Sequence, residues 1–345
     1  MTFIDAVPTI SNPMPGMGNE NASIMIVGDC PDAHAMKAHR PFAGPRETVL
    51  EGCLHQAGLT KSEVYITNFI NDDTSLIKYW GGQTNRKKIK ANIDGYRDLL
   101  ISEIKRVRPD VIVTLDELPT FILTSKQSLA GKNAVRGYPF IWKLLDELES
   151  PLSIIIIPSL PPGKMIWSNY IWRYYLSHDL NKARELSKNL ELLWQPEIEA
   201  IVPETFIEAK EYLNYCSNFD CLSVDIEVAN YEVSCIGFAT SPTKAFSIPT
   251  DMRWTIEEEV AIWNMIANIL KDKRITKIGQ NFIFDIHFLA YKMGIMTYGK
   301  IIDTMMGHSI LYPDFLKGLG FLGSIYTRQP MWKDAVSFKD IKKES

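Results

Sequence analysis

The chain carries short, unbroken apolar runs separated by longer stretches in which apolar positions recur every three or four residues. Residues 23–28, 64–69, 111–115 and 153–158 are such runs, rich in Ile and Val. They suit parallel strands buried on both faces. The amphipathic stretches between them, at 48–57, 89–106 and 140–148, read as helices. Strands alternating with helices predict an α/β domain of three layers, a parallel sheet covered on both sides.

The first 22 residues show no periodicity and read as a flexible arm, so order is expected from Ser23. The first domain then spans 23–193, helical from 168 onward. Pro196 and Pro203 fall in a stretch, 194–203, that reads as a linker. In the second domain, 204–345, a helix at 206–214 precedes strands at 221–228, 233–239 and 244–249. A helix at 256–270, capped by Thr255, a short strand at 277–279 and helices at 285–292 and 303–311 follow. Three strands in succession predict a mixed sheet with an antiparallel meander.

Composition narrows the class. With 345 residues, 46% hydrophobic and 23% charged, the chain can bury cores of ordinary size, and a disordered or low-complexity protein is excluded. The most apolar run, 154–157, is far short of the roughly 20 residues that cross a bilayer, and no basic and apolar leader opens the chain. A cytoplasmic protein with no membrane partner is expected. Five cysteines with no C-x-x-C pair argue against a disulfide framework or a four-cysteine cluster, and they are expected to be buried free thiols.

Charge is unevenly spread. Residues 1–195 hold 22 basic and 21 acidic side chains, and residues 196–345 hold 15 and 20. Residues 78–108 hold nine Lys or Arg against three acids, a local excess suited to a phosphate backbone, with Arg86, Lys87 and Lys88 at its centre.

Leu222-Ser-Val-Asp225-Ile-Glu227 puts two carboxylates at i and i+2, on one face of a strand. Adjacent acids repel unless a divalent cation binds them, and oxygen-only ligands suit Mg²⁺ or Mn²⁺. Ile278-Gly-Gln-Asn281-Phe-Ile-Phe-Asp285 supplies a third acid where a strand passes into a helix. With the downstream Asp303-Thr-Met-Met and Lys317-Gly-Leu-Gly-Phe-Leu segments, these motifs stand in the order found in the four-carboxylate 3′–5′ exonucleases. From Cys221 to about Asp334 the chain resembles the proofreading domain of family A DNA polymerases, which has a ribonuclease H-like fold. The resemblance implies two-metal phosphodiester hydrolysis with Asp225, Glu227 and Asp285 as metal ligands and catalytic residues, and Asn281 positioning the strand end. The family's third motif, Tyr or His four residues before a last acid, is not found up to Ser345, so a truncated, incomplete exonuclease domain is expected.

In the first domain, Gly28-Asp29-Cys30-Pro31-Asp32 followed by Arg40-Pro41-Phe42-Ala-Gly44 leaves the first strand through a loop of the kind that holds ligands. With Val64-Tyr-Ile-Thr-Asn68, Asn85-Arg86 and Arg108-Pro-Asp-Val-Ile-Val, these motifs resemble the uracil-DNA glycosylase superfamily of the iron–sulfur type. The resemblance implies a pocket for a flipped base, with Phe42 as platform, Asn68 as the reading amide and Asp29 at the acidic position. Pro161 stands where the family has the His of His-Pro, and Lys164 is the candidate substitute. The cysteines that hold the family's cluster are absent, so a degenerate domain without an iron–sulfur cluster is expected. The order of domains resembles the N-terminal region of a phage-type family A DNA polymerase. A split or truncated polymerase, with a partner polypeptide supplying the remaining exonuclease helix and the polymerase domain, is the reading adopted. A non-catalytic DNA-binding or docking scaffold and a uracil-DNA glycosylase are the alternatives.

Overall fold

The computed structural model describes residues 13–71, 86–131, 134–145, 151–193, 197–250 and 253–331. The chain forms two compact units, Met1–Trp194 with Gly320–Ser345, and Gln195–Leu319. Both are α/β, each built on a mixed sheet of six strands.

The first unit contains β1 (Met17–Gly18), β2 (Ile24–Gly28), α1 (Ala33–Ala38), α2 (Pro45–Gln56), β3 (Val64–Asn68), α3 (Arg86–Val107), β4 (Val111–Leu115) and α4 (Glu117–Thr124). After these come β5 (Phe140–Leu145), β6 (Pro151–Ser159), α5 (Pro162–Trp167) and α6 (Trp172–Lys188). The sheet order is β1-β3-β2-β4-β6-β5. The four central strands are parallel, and the edge strands β1 and β5 run antiparallel to their neighbours. Every residue of β2, β3 and β4 is buried, as continuous apolar runs between two helical layers require.

Several expectations need correction. Residues 140–145, read as part of a helix, are strand β5, whose burial alternates with period two against β6; residues 146–148 lie outside the described residues. Order begins before Ser23, because Met14 is buried and Met17 and Gly18 pair with Ile66 and Tyr65. The cysteines are not uniformly buried: Cys53 and Cys216 are, Cys30 and Cys235 are half-buried, and Cys221 is exposed.

The second unit contains β7 (Glu199–Ile201), α7 (Phe206–Cys216), β8 (Cys221–Ala229), β9 (Glu232–Ser241), β10 (Lys244–Pro249), α8 (Ile256–Lys271), β11 (Thr276–Gly279), α9 (Ile283–Met293), β12 (Ile301–Asp303) and α10 (Thr304–Leu311). Its strand order is β12-β11-β8-β9-β10-β7. β8, β9 and β10 form the antiparallel meander, flanked by parallel pairs on both sides. Thr255 and Glu258 close a reciprocal capping box at the start of α8. Residues 199–201, read as linker, are a strand paired in parallel with β10.

α11 (Leu319–Tyr326) ends the described secondary structure, and from Gly320 the chain belongs to the first unit. It is fastened there by polar contacts. The Tyr138 hydroxyl donates to the Gly320 carbonyl at 2.5 Å, and Lys182 Nζ donates to the carbonyls of Gly137 at 2.7 Å and Ser324 at 2.5 Å. Arg136 donates to Asp179 at 2.6 Å and to the Ser324 hydroxyl, and its guanidinium stacks on Tyr175 and Phe321. Ser159 Oγ donates to the other Asp179 oxygen at 2.6 Å.

Candidate functional sites

In the second unit, β8 alternates as expected: Leu222, Val224 and Ile226 are buried, while Asp225 and Glu227 face out together. The β11 strand pairs with β8 only as far as Ser223 opposite Ile278, and its chain then turns into α9. That leaves the Ile226 N–H without a strand partner on this side, and Asp285 fills the place, its Oδ1 accepting from Ile226 at 2.9 Å. Asp285 is buried in the first turn of α9.

The turn before α9 is built by a fourth acid. Asp303 accepts from the backbone N–H of Asn281 at 3.1 Å and Phe282 at 2.8 Å, and it caps α10 through Met305 at 2.8 Å. Asn281 takes a left-handed conformation with φ of 57°, which Asn tolerates better than most residues. A side chain at Gly279 would lie 2.3 Å from the Phe282 ring, so only Gly permits this close turn. Asn281 thus shapes the backbone that presents Asp285.

The acids act on one another. Burial raises the Asp285 carboxyl to about 6 against its hydrogen bond from Ile226, and the charges of Asp225 and Asp303 push the same way. Burial and the neighbouring Glu227 raise Asp225. Among the described residues no group of three His, Cys, Asp or Glu converges closely enough to hold a metal ion. The donor set still fits a hard divalent cation in kind, because the ligand atoms are carboxylate oxygens and Asp225 and Asp285 carry mutual repulsion that a cation would relieve.

In the first unit a cavity of about 160 Å³ opens at the carboxyl ends of β2 and β4. Asp29, Phe42, Arg46, Leu115, Asp116 and Lys164 line it, with Cys30 and residues 161–163. Asp29, Phe42 and Lys164 therefore come together in one lining. Phe42 is buried with φ of 58°. A methyl group on Gly28 would lie 2.4 Å from the Phe42 ring and 2.5 Å from Asn68 Oδ1, so both pack on the bare Cα of Gly28. Asn68 is buried there and does not line the cavity. Arg86, Lys87 and Lys88 fall at the start of α3, with side chains outside the described residues.

The cavity holds residues that the sequence did not single out. Asp116 has φ of 108° and ψ of 171°, a conformation costing a non-glycine residue about 1–3 kcal/mol, and its carboxylate accepts from Glu117 N–H at the start of α4. Its place directly after a parallel strand was the available signal. Lys164 Nζ lies 3.9 Å from Asp116 Oδ1. Arg46 donates to the Cys30 carbonyl at 3.2 Å and pairs with Asp32 at 3.0 Å. Asp29 Oδ1 is fully buried and has no hydrogen-bond partner. Burial, then the Asp116 charge, raise the Asp29 carboxyl to about 6 against the pull of Arg46, a hydrogen bond from Cys30 and Lys164. Burial and the Asp29 charge hold the Cys30 thiol protonated, at about 12.

Residues 15–195 match the uracil DNA glycosylase superfamily, over slightly more than half of the chain. The chain belongs to that superfamily. Residues 201–337 match the 3′–5′ exonuclease family of DNA polymerase A type, so the glycosylase-superfamily unit is followed by an exonuclease domain. Among curated relatives, a type-4 uracil-DNA glycosylase of Sulfurisphaera tokodaii is 28% identical over 180 residues, covering 51% of this chain and 76% of the relative. Another, from Thermotoga maritima, is 28% identical over 181 residues, covering 52% and 84%.

Solved structures similar to the chain include RNase D of Trypanosoma brucei with GMP, at 14% identity, covering 42% of this chain and 47% of that one, with a TM-score of 0.35. RNase D of Escherichia coli shows 14% identity, 43% and 40% coverage, and a TM-score of 0.32. The chain spans less than half the length of these solved structures. No helix among the described residues is long and apolar enough to cross a membrane.

The cluster of the iron–sulfur glycosylases does not fit this donor set. Cys30 and Cys53 are the only cysteines in the matched region, where such a cluster takes four thiolates. Moreover, Cys30 lines the cavity and Cys53 Sγ donates to the Arg173 carbonyl.

Proposed function

We propose that the chain acts on DNA, with a divalent-metal-dependent 3′–5′ exonuclease site at Asp225, Glu227 and Asp285. The observation that carries this reading is the hydrogen bond from Ile226 to Asp285, which draws the helix acid onto the strand between the two outward acids. Mg²⁺ or Mn²⁺ held by these carboxylates would supply an activated water and charge stabilisation for the leaving 3′ oxygen. The protein itself contributes the rigid strand that fixes Asp225 and Glu227, and the Asp303-braced turn that fixes Asp285.

The finer reading is that the chain is the N-terminal part of a phage-type replicative machine, with a family A DNA polymerase polypeptide as partner. Its support is the sequence resemblance together with the outward faces of α9 and α10, where Ile283, Tyr291, Met306, Ile310 and Leu311 are exposed. Apolar side chains in this number on two helices suit a covering helix.

Titration with Mn²⁺, followed by electron paramagnetic resonance, tests the site. Binding should weaken at least tenfold in Asp225→Ala and in Asp285→Ala; binding unchanged by both substitutions contradicts the assignment.

The cavity of the first unit supports a second reading, a pocket for an unpaired base. The observation favouring it is the juxtaposition of an aromatic residue, Phe42, with an acid, Asp29, in the lining of a space of about 160 Å³.

A further inference from the structure

A base that leaves deoxyribose takes the bonding electron pair with it. Uracil departs as an imide anion, and a site that releases it must offer hydrogen-bond donors or positive charge where that anion forms. This cavity offers the opposite. Pro161 has no donor, and two carboxyl groups, Asp29 and Asp116, face the same space from the ends of β2 and β4. Of the two cations on the wall, Arg46 is engaged by Asp32 and the Cys30 carbonyl, and Lys164 lies beside Asp116 at the exposed rim.

The carboxyl pair is costly to keep. Asp116 is held in a backbone conformation that suits Gly, and Asp29 Oδ1 is buried with no hydrogen-bond partner from the protein. Both costs are explained if the two acids work as a unit, burial and then the Asp116 charge letting Asp29 keep its proton to higher pH than an ordinary carboxyl does. The groups facing Asp29 are Asp116 from the turn between β4 and α4, Arg46 from α2, Lys164 from α5 and the Cys30 thiol of its own loop. Their net effect, with burial, is to raise its carboxyl to about 6.

We propose that this cavity cleaves an N-glycosidic bond by general acid catalysis from Asp29, and takes a base with a basic ring nitrogen beside an amino group, adenine or cytosine, in place of uracil. The C1′–N bond breaks with its electron pair going to the base, while the Asp29 proton passes to the basic ring nitrogen, so the base leaves neutral. Water adds to C1′ and its proton returns to the Asp29 carboxylate. Asp116 is a positioning residue acting through Asp29, and Phe42 supplies the stacking platform.

The inference rests on the reading of the cavity as a base pocket, and the two fail differently. The experiment uses the full chain with thymine-tract oligonucleotides bearing one adenine, cytosine or uracil, from pH 5 to 8, with abasic sites revealed by alkali. Binding of the same oligonucleotides is followed by fluorescence anisotropy.

Breaks at adenine or cytosine, above the protein-free control, are expected to fall about tenfold per pH unit above pH 6 and to vanish in Asp29→Asn. The limb should move to lower pH in Asp116→Asn, which removes a charge that raises Asp29, and to higher pH in Lys164→Ala, which removes one that lowers it. A protein that had merely lost its fold would show neither opposed shift. Release of uracil alone, or release whose pH limb ignores both substitutions, overturns the proposal. Preferential binding of the adenine or cytosine oligonucleotide without release at pH 5 overturns it while leaving the base pocket standing; no base-dependent binding overturns both.

Discussion

The Ile226 backbone N–H donates to Asp285 Oδ1 at 2.9 Å, and this bond joins a strand edge to a helix 59 residues away. It fills a donor that the sheet leaves unpaired beyond Ser223, and it brings the third acid to the strand that carries the other two. The same step that completes the sheet edge concentrates negative charge.

Burying that carboxyl, with Asp225 and Asp303 nearby, has a measurable cost. The Asp285 carboxyl stands near 6 in the folded protein against an ordinary 3.8, so between about pH 4 and 6 the folded state binds more protons than the unfolded one. Stability from this group is therefore lost as pH rises through that window, by up to about 3 kcal/mol. Asp285→Asn keeps an acceptor for Ile226 and removes the charge. It should stabilise the metal-free protein by about 1–3 kcal/mol at pH 7.5 and reduce the rise in melting temperature that Mn²⁺ produces, both read by thermal denaturation.

The buried network of the first unit gives a second prediction. Arg136 and Asp179 are both almost wholly buried, and truncating one strands the other's charge. Arg136→Ala should cost about 3–5 kcal/mol in chemical denaturation, more than Arg136→Met combined with Asp179→Leu. The partner Lys182 is lowered to about 7 chiefly by burial, so the unfolded state binds more protons between about pH 7 and 10.5. This group's contribution to stability therefore rises with pH across that range, and Lys182→Met should flatten the dependence.

Tyr170 and Tyr174 form an exposed edge-to-face pair with centroids 6.4 Å apart, and the Arg173 guanidinium lies 4.5 Å from the Tyr170 ring. Exposed aromatic rings beside a guanidinium are suited to stacking on unpaired bases. Replacing both tyrosines by Ala should weaken single-stranded DNA binding about tenfold or more in anisotropy titrations, with little change in melting temperature.

The sequence made the sheets legible where burial follows one rule along the whole strand. The continuous apolar runs of β2, β3 and β4 mark strands covered on both faces, and the alternation in β8 puts Asp225 and Glu227 on one face. β5 escaped because Phe140–Leu145 alternates over only six residues and is followed by Asp and Glu, which suggested an amphipathic helix. Asp116 escaped because Leu-Asp-Glu reads as an ordinary helix cap, which it also is; only its φ of 108° exposes a second constraint. The contact of Arg136 with Ser324 spans 188 residues, and no local pattern announces it.

The central claim is that Asp225, Glu227 and Asp285 serve metal-dependent removal of nucleotides from a DNA 3′ end. The most direct measurement incubates a 5′-labelled single-stranded oligonucleotide with Mn²⁺ and the chain, supplemented with a family A polymerase polypeptide of the kind proposed as its partner. The account predicts a ladder of 3′-shortened products that disappears with chelator and in Asp225→Ala. A ladder that survives Asp225→Ala, or no shortening of the strand in the wild-type mixture, would contradict it.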